Sequence, residues 1–344
     1  MKKVYILLSM LAAIVLYSSC NDEWKDEQFE HSVSFKAPLS DLGVSPIYIP
    51  YYTNQAVAYQ LPLVVSGSTT NSKNITVHVE VDSDTLKTLN AARFQNRLDH
   101  HYHELTSQYF SMPPTVDIKA GEDIGLMQID FTLQGIDLVN KWLLPLTIEE
   151  NESYVTNQRK HYKKALLRVI PFNEYSETYS GTALEIYARG FSGNDTMPAI
   201  AKQTIQTYVV NESSIFFYAG NIDENRADRR LYKVNAEFNR QGSTTSSEEN
   251  VVEFGEVVLS VEEGSENKMK FVENARATYT ITESMNDVRP YLKHRFITIS
   301  GIDYGFVDHT NVDGVEFEFQ VTGSLIQERK INTQIPDKDQ AIEW

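Results

Sequence analysis

A period of two in the apolar residues recurs along most of this chain, and that period admits strands and little else. Ile75, Val77, Val79 and Val81 alternate with Thr76, His78 and Glu80. Met127, Ile129, Phe131 and Leu133 repeat the pattern against Gln128, Asp130 and Thr132, and Ala165, Leu167 and Val169 do so again before Pro171. Strand side chains point alternately to opposite faces, so each segment covers a core with one face and meets water with the other. One stretch breaks the pattern. From Asp84 to about Arg97, Leu86, Leu89 and Arg93/Phe94 fall at helical spacing, with Ser83 as the expected N-cap. Residues 31–170 therefore read as an antiparallel sandwich with a helical excursion. From 171 to 344 the chain is more uniformly β, with strands expected at 182–188, 204–210, 214–220, 231–238, 251–262, 277–282, 295–301 and 315–323. Many short strands joined by turns, without alternating helices, describe a barrel or second sandwich. The turns SGND (192–195), RQGSTTSSEEN (240–250) and EEGSEN (262–267) read as hairpin or loop connections.

The beginning of the chain reads as an export signal. Lys2 and Lys3 precede an almost wholly apolar run from Val4 to Leu16, shorter than a membrane span of about 20 residues. Ser18 and Ser19 follow, and then Cys20, the only cysteine of 344 residues. That placement is expected of a lipoprotein processing site, with residues 1–19 removed, Cys20 acylated, and residues 20–30 an acidic tether. Removing 19 of the 344 residues leaves 325, enough for two domains of ordinary size. Without a second cysteine there is no disulfide, so the fold rests on its own core. The net charge of −16 argues against nucleic acid as a partner, which wants a basic face.

The acid-flanked Cys20, LPLVVSG (61–67), VEVDSDTLKTLN (79–90), MPPTVDIKAGED (112–123), KWLLPLTIEE (141–150) and PFNEYS (171–176) together resemble a Bacteroidetes surface lipoprotein family of unknown function. The resemblance covers nearly the whole mature chain. It implies an all-β protein: an immunoglobulin-like N-terminal domain, found also ahead of family 18 endoglycosidases, and a lipocalin-like C-terminal domain. It also implies a place in glycan foraging, with the membrane as a partner through the lipid anchor and an outer-membrane glycan-uptake complex as another. Asn21-Asp22-Glu23 is similar to the signal that sends such lipoproteins to the exterior face of the outer membrane. No family-wide binding residues carry over.

Asp313 to Gln320 (DGVEFEFQ) echoes the DGxDxDxE strand of family 18 glycosidases, but Gln320 stands where the proton-donating Glu would be. An amide cannot donate that proton, and alternation explains the segment as a strand with Val315, Phe317, Phe319 and Val321 inward. His100, His101, His103 and Glu104 read as a polar loop in preference to a metal site, which wants four ligands at fixed spacing. Asp223, Glu224, Asn225 and Asp228 lack the glycine of a calcium loop and are interleaved with Arg226, Arg229 and Arg230, so a salt-bridged turn is expected. The basic run Arg159, Lys160, His161, Lys163, Lys164 and Arg168 reads as a solvated hairpin or interdomain contact, with an anionic polysaccharide as the sharper alternative. No phosphate loop, dinucleotide fingerprint or nucleophile elbow occurs. No catalytic residue, cofactor or metal is assigned. Aromatics beside acids remain: Tyr304 with Asp303 or Asp308, and YYTN at 51–54, are candidates for stacking on sugars, against the alternative that they plug the end of the barrel. The favoured reading is a non-enzymatic, lipid-anchored outer-membrane protein that binds or helps capture glycans. The alternatives are a structural or adhesive envelope component without a small ligand, and an unrecognised glycan-active enzyme.

Overall fold

The computed structural model describes residues 26–344 except 39, 41–42, 160, 190–198, 244–249, 263, 266–268, 272–275 and 310–313. Cys20 with its leader and tether signal, Asp313, and the turn residues 192–195, 244–249, 263 and 266–267 lie outside the described residues.

The first unit is built from β1 (Ser32–Phe35), β2 (Ser45–Pro50), β3 (Val57–Ser66), β4 (Ile75–Val81), β5 (Tyr102–Glu104), β6 (Phe110–Ser111), β7 (Thr115–Ile118), β8 (Ile124–Phe131), β9 (Lys141–Ile148), β10 (Val155–Thr156) and β11 (Lys164–Phe172). One sheet runs β10-β1-β3-β8-β6, the other β2-β11-β9-β4-β7 with β5 added along β9. The alternation decides which residues meet between them. Val33, Phe35, Leu61, Leu63, Met127 and Ile129 from the first sheet pack on Ile47, Ile49, Val77, Leu144, Leu146 and Leu167 from the second. The result is a β-sandwich closed by hydrophobic burial.

The helical excursion is α1 (Ser83–Phe94). Its cap is Asp82, not Ser83. The Asp82 carboxylate accepts from the Thr85 amide at 3.0 Å and from the Thr85 hydroxyl at 2.6 Å, which satisfies a first-turn donor that a serine one residue later would miss. The helix stops at Phe94, short of Arg97, as Gln95 turns to φ 52°. The segment after it is not the expected solvated loop. Tyr102 to Glu104 form β5, parallel to β9, and His100 is buried. Apolar packing overrides the polar composition here: Tyr102 sits among Leu86, Leu143 and Leu166, with the Phe94 ring on its edge at 5.6 Å.

The second unit comprises β12 (Thr178–Ser180), β13 (Leu184–Ala188), β14 (Thr204–Asn211), β15 (Ser214–Tyr218), β16 (Lys233–Gly242), β17 (Val251–Ser260), β18 (Met269–Phe271), β19 (Ala277–Met285), β20 (Leu292–His309), β21 (Glu316–Asn332) and β22 (Ile342–Glu343). Antiparallel pairing runs β12-β14-β15-β16-β17-β19-β20-β21 and returns to β12, closing an eight-stranded barrel. The last hairpin is far longer than its sequence signal, because a bulge at Gly301 (φ 75°) lets β20 run on through GIDYGFVDH instead of ending in a loop. β21 likewise continues past Gly323 to Asn332. Phe317 does not face inward as alternation suggested: it is 38% exposed, while Phe319 and Val321 are buried.

An eight-stranded barrel is just wide enough for side chains to fill, and this one is filled. Tyr179, Phe217, Tyr279, Tyr304 and Phe306 are at most 2% exposed within one apolar cluster. The join between the units is pinned as well. Asn173 accepts from the amides of Tyr175 and Ser176 and donates to the carbonyls of Asn211 and Ser214. These bonds hold the segment after β11 against the barrel and place Glu177 between the two units.

Candidate binding cleft between sandwich and barrel

Strands whose inner face builds a core present their other face outward, and the outer faces of β2, β9 and β11 look toward the barrel. Tyr48, Lys141 and Arg168 occupy such positions, while Trp142, on the parity of Leu144 and Leu146, packs partly on the sandwich core; Arg168 is half-buried between the core residues Leu167 and Val169. The barrel answers with Gln206 and Tyr208 from β14, Tyr218 from β15, Glu328 and Arg329 from β21, and Trp344 beyond β22. Between them lies a cleft of about 470 Å³, within the range of small-ligand sites. A second hollow of about 320 Å³ shares Thr178, Gln206, Tyr218 and Glu224 with it, so the two form one groove.

Aromatic rings line the groove. Trp344 lies flat on Tyr48, with centroids 3.9 Å apart and planes 6° from parallel, and meets Phe172 edge-on at 4.7 Å. Tyr208 stacks on Phe216 at 4.9 Å and donates its hydroxyl to Glu224 at 2.5 Å. Trp142 is held by its indole N–H, which donates to the Asp137 carbonyl at 2.7 Å. Burial, joined by the Glu224 charge, pushes the Tyr208 hydroxyl well above the usual phenol range. Tyr218 is pushed up to about 12, chiefly by burial. Both rings therefore stay neutral donors at any physiological pH.

Glu177 is the least ordinary residue here. Its backbone sits at φ 132°, which side chains other than glycine rarely adopt and which costs about 1–3 kcal/mol. Thr207 holds it there: the Thr207 hydroxyl accepts from the Glu177 amide at 2.9 Å and donates to the Glu177 carbonyl at 2.8 Å. The carboxylate accepts from Gln327 at 2.8 Å and from Arg329 at 3.2 Å, and Arg329 is further tied to the carbonyls of Asn173 and Ser176. Burial raises the Glu177 pKa despite the Arg329 charge. A strained, desolvated carboxylate in a cleft is the combination found at functional sites.

The residues singled out from sequence lie elsewhere. Tyr304 is 1% exposed, and its hydroxyl accepts from the Gly220 amide at 3.0 Å, so it offers no face to a sugar. Asp303 accepts from Gln320 at 2.5 Å, while Asp308 is occupied by Arg226 at 2.8 Å and the Tyr232 hydroxyl at 3.3 Å. They do not form an open site, because the bulged β20 carries them into core and ion pairs. Tyr51 is buried and Tyr52 donates to Asp339 across the units at 3.1 Å. The acidic turn is salt-bridged as expected, with Arg226 on Asp228 and Asp308. The basic run divides: Lys163 pairs with Glu150, Lys164 with Asp82, and Arg168 faces the cleft. Sequence reading missed Tyr48, Trp142, Glu177, Tyr208 and Trp344. One signal was available: Tyr48 and Tyr208 are aromatics at strand positions that alternation assigns to the outer face.

Comparison with known proteins places both halves. Residues 24–152 match a domain of unknown function, DUF4973, and residues 163–326 match a C-terminal domain model. A multidomain protein including DUF1735 from Bacteroides ovatus is 38% identical, with a TM-score of 0.77, over 91% of this chain and 99% of its own. An auxiliary nutrient binding protein from Bacteroides thetaiotaomicron is 37% identical, with a TM-score of 0.77, over 90% of this chain and all of its own. A protein of unknown function from Bacteroides ovatus is 33% identical, with a TM-score of 0.74, over 93% and 97%. No curated protein matches.

Proposed function

This chain belongs to the Bacteroides family of multidomain proteins represented by those relatives, and from that premise we propose that it is a non-enzymatic surface protein that captures glycans in the cleft between sandwich and barrel. The observation that carries the reading is the groove itself. It combines aromatic rings from both units with neutral hydroxyls, an amide and carboxylates, the set that packs on a sugar's apolar faces and hydrogen-bonds its hydroxyls. The barrel interior supports it, since Tyr179, Phe217, Tyr279, Tyr304 and Phe306 are buried there in one apolar cluster. One relative's description as a nutrient binding protein points the same way. Attachment to the outer membrane through Cys20 belongs to this proposal: Cys20→Ser should abolish lipid labelling, and a mutant that still takes up labelled acyl chains would sink it.

A glycan array on the protein starting at Asn21, followed by calorimetry on the hits, tests the main claim. Trp344→Ala should weaken a hit about tenfold or more, since stacking contacts are worth about 1 kcal/mol each and the whole groove wall moves with the indole. An array with no hit, or hits indifferent to Trp344→Ala and Tyr208→Ala, would favour the structural or adhesive alternative.

A further inference from the structure

Resting on the reading of the cleft as a glycan site, we propose that its ligand is acidic: Arg168 forms a subsite for a carboxylate carried by the sugar. The charges in the groove are sorted. Arg329 is matched by Glu177. Glu328 is matched by His294 at 2.5 Å, and Glu343 stands exposed. At the other end stand three cations, Lys141, Arg168 and Arg229, and among the described residues Glu224 is the one carboxylate within ion-pair distance of any of them, 3.9 Å from Lys141. Arg229 spends its donors on the carbonyls of Asp99, Val139 and Arg226. The Arg168 side chain makes no hydrogen bond or ion pair with any described residue.

A half-buried arginine side chain whose five donors no protein group engages is free to take an arriving acceptor. The three cations also press on one another. The Lys141 ammonium loses its proton more readily than usual, first because it is buried and, against the pull of Glu224 and Asp223, also because Arg168 and Arg229 lie near it. The chain as a whole carries −16, so this corner is a local reversal of sign. Screening over about 8 Å at physiological salt keeps distant carboxylates from cancelling it. The guanidinium fork matches a carboxylate with two parallel hydrogen bonds, which a neutral hydroxyl cannot equal. Tyr48, braced by Trp344, lines the same cleft and supplies a ring for the body of the sugar.

The test uses matched probes: oligomers of galacturonate, glucuronate and mannuronate, each beside its carboxyl-reduced neutral counterpart, titrated calorimetrically into the protein starting at Asn21. At least one acidic oligomer should bind about 10- to 100-fold tighter than its reduced form, the range expected of a charge-assisted pair. Arg168→Ala should erase that preference, bringing the affinity for the acidic oligomer down to that for its reduced form. Arg168→Lys should keep part of the preference, and raising salt should shrink it. Equal binding of acidic and reduced forms, or a preference that survives Arg168→Ala, would overturn the acidic subsite and leave glycan capture standing. Silence from the acidic oligomers with hits among neutral glycans would do the same. Silence from every glycan would overturn both.

Discussion

The Trp344–Tyr48 stack joins the end of the chain to an early strand, and its removal is a direct test of whether the cleft wall couples the two units. Trp344 is 48% exposed, so about half of its side chain has left water. For a ring burying about 150–250 Å² when fully covered, that is roughly 100 Å², or about 2.5 kcal/mol at about 25 cal/mol per Å². Parallel stacking at 3.9 Å adds about 0.5–1.5 kcal/mol. Ordering one terminal residue takes back about 1–2 kcal/mol. Trp344→Ala should therefore cost about 2 kcal/mol in urea unfolding. The pairwise part is isolated by a double-mutant cycle with Tyr48→Ala, and about 1 kcal/mol of coupling is expected because the rings touch face to face. Coupling within about 0.3 kcal/mol of zero would refute the reasoning, since it would mean that Trp344 stabilises through Phe172 and β22 alone.

Three further outcomes follow from single residues. Glu177 in the folded chain keeps its proton to a higher pH than the ordinary 4.5, so the stability that proton confers is complete below about that value and drains away as the pH rises through the raised one. Wild-type stability measured against Glu177→Gln should thus fall across that window, and a difference that stays flat from pH 4 to 8 would contradict the desolvated carboxylate. Gly323→Ala should destabilise by more than about 2 kcal/mol, because the position combines φ 126° with a Cβ only 2.1 Å from the Ala183 carbonyl oxygen. Gly121→Ala, at φ 88° with nothing near its Cβ, should cost only the backbone strain of about 1 kcal/mol, and equal losses at both sites in thermal melts would argue against the clash. Tyr279→Phe removes a 2.7 Å hydrogen bond to the buried Glu253 and should cost about 1.5–3 kcal/mol in urea unfolding; a loss under about 0.5 kcal/mol would mean that the Tyr175 bond suffices.

The all-β class was legible because alternation is a local property. Val77 and Val79, Ile205 and Val209, and Ile297 and Ile299 face their cores as their spacing requires, and each needs only its own strand to say so. Where contacts decided the outcome, the sequence signal failed by small margins or misled. Asp82 and Ser83 are equally good caps by type, and the position of the Thr85 donors chose between them. The run HHYHE looked solvated until Phe94, Leu143 and Leu166 closed over Tyr102. GIDYGFVDH left two readings open, a loop offering Tyr304 to a sugar or aromatics plugging the barrel, and one bulged glycine carries it along the barrel and buries Tyr304. The cleft depends on tertiary structure more completely. Tyr48, Arg168, Glu177, Tyr208 and Trp344 come from parts of the chain with no pattern in common, and only the docking of one β unit against the other sets them facing the same space. Periodicity states which face of a strand turns outward; what that face then meets is a matter of how two separately formed cores are held together, by Asn173, Arg229 and the Trp344 stack.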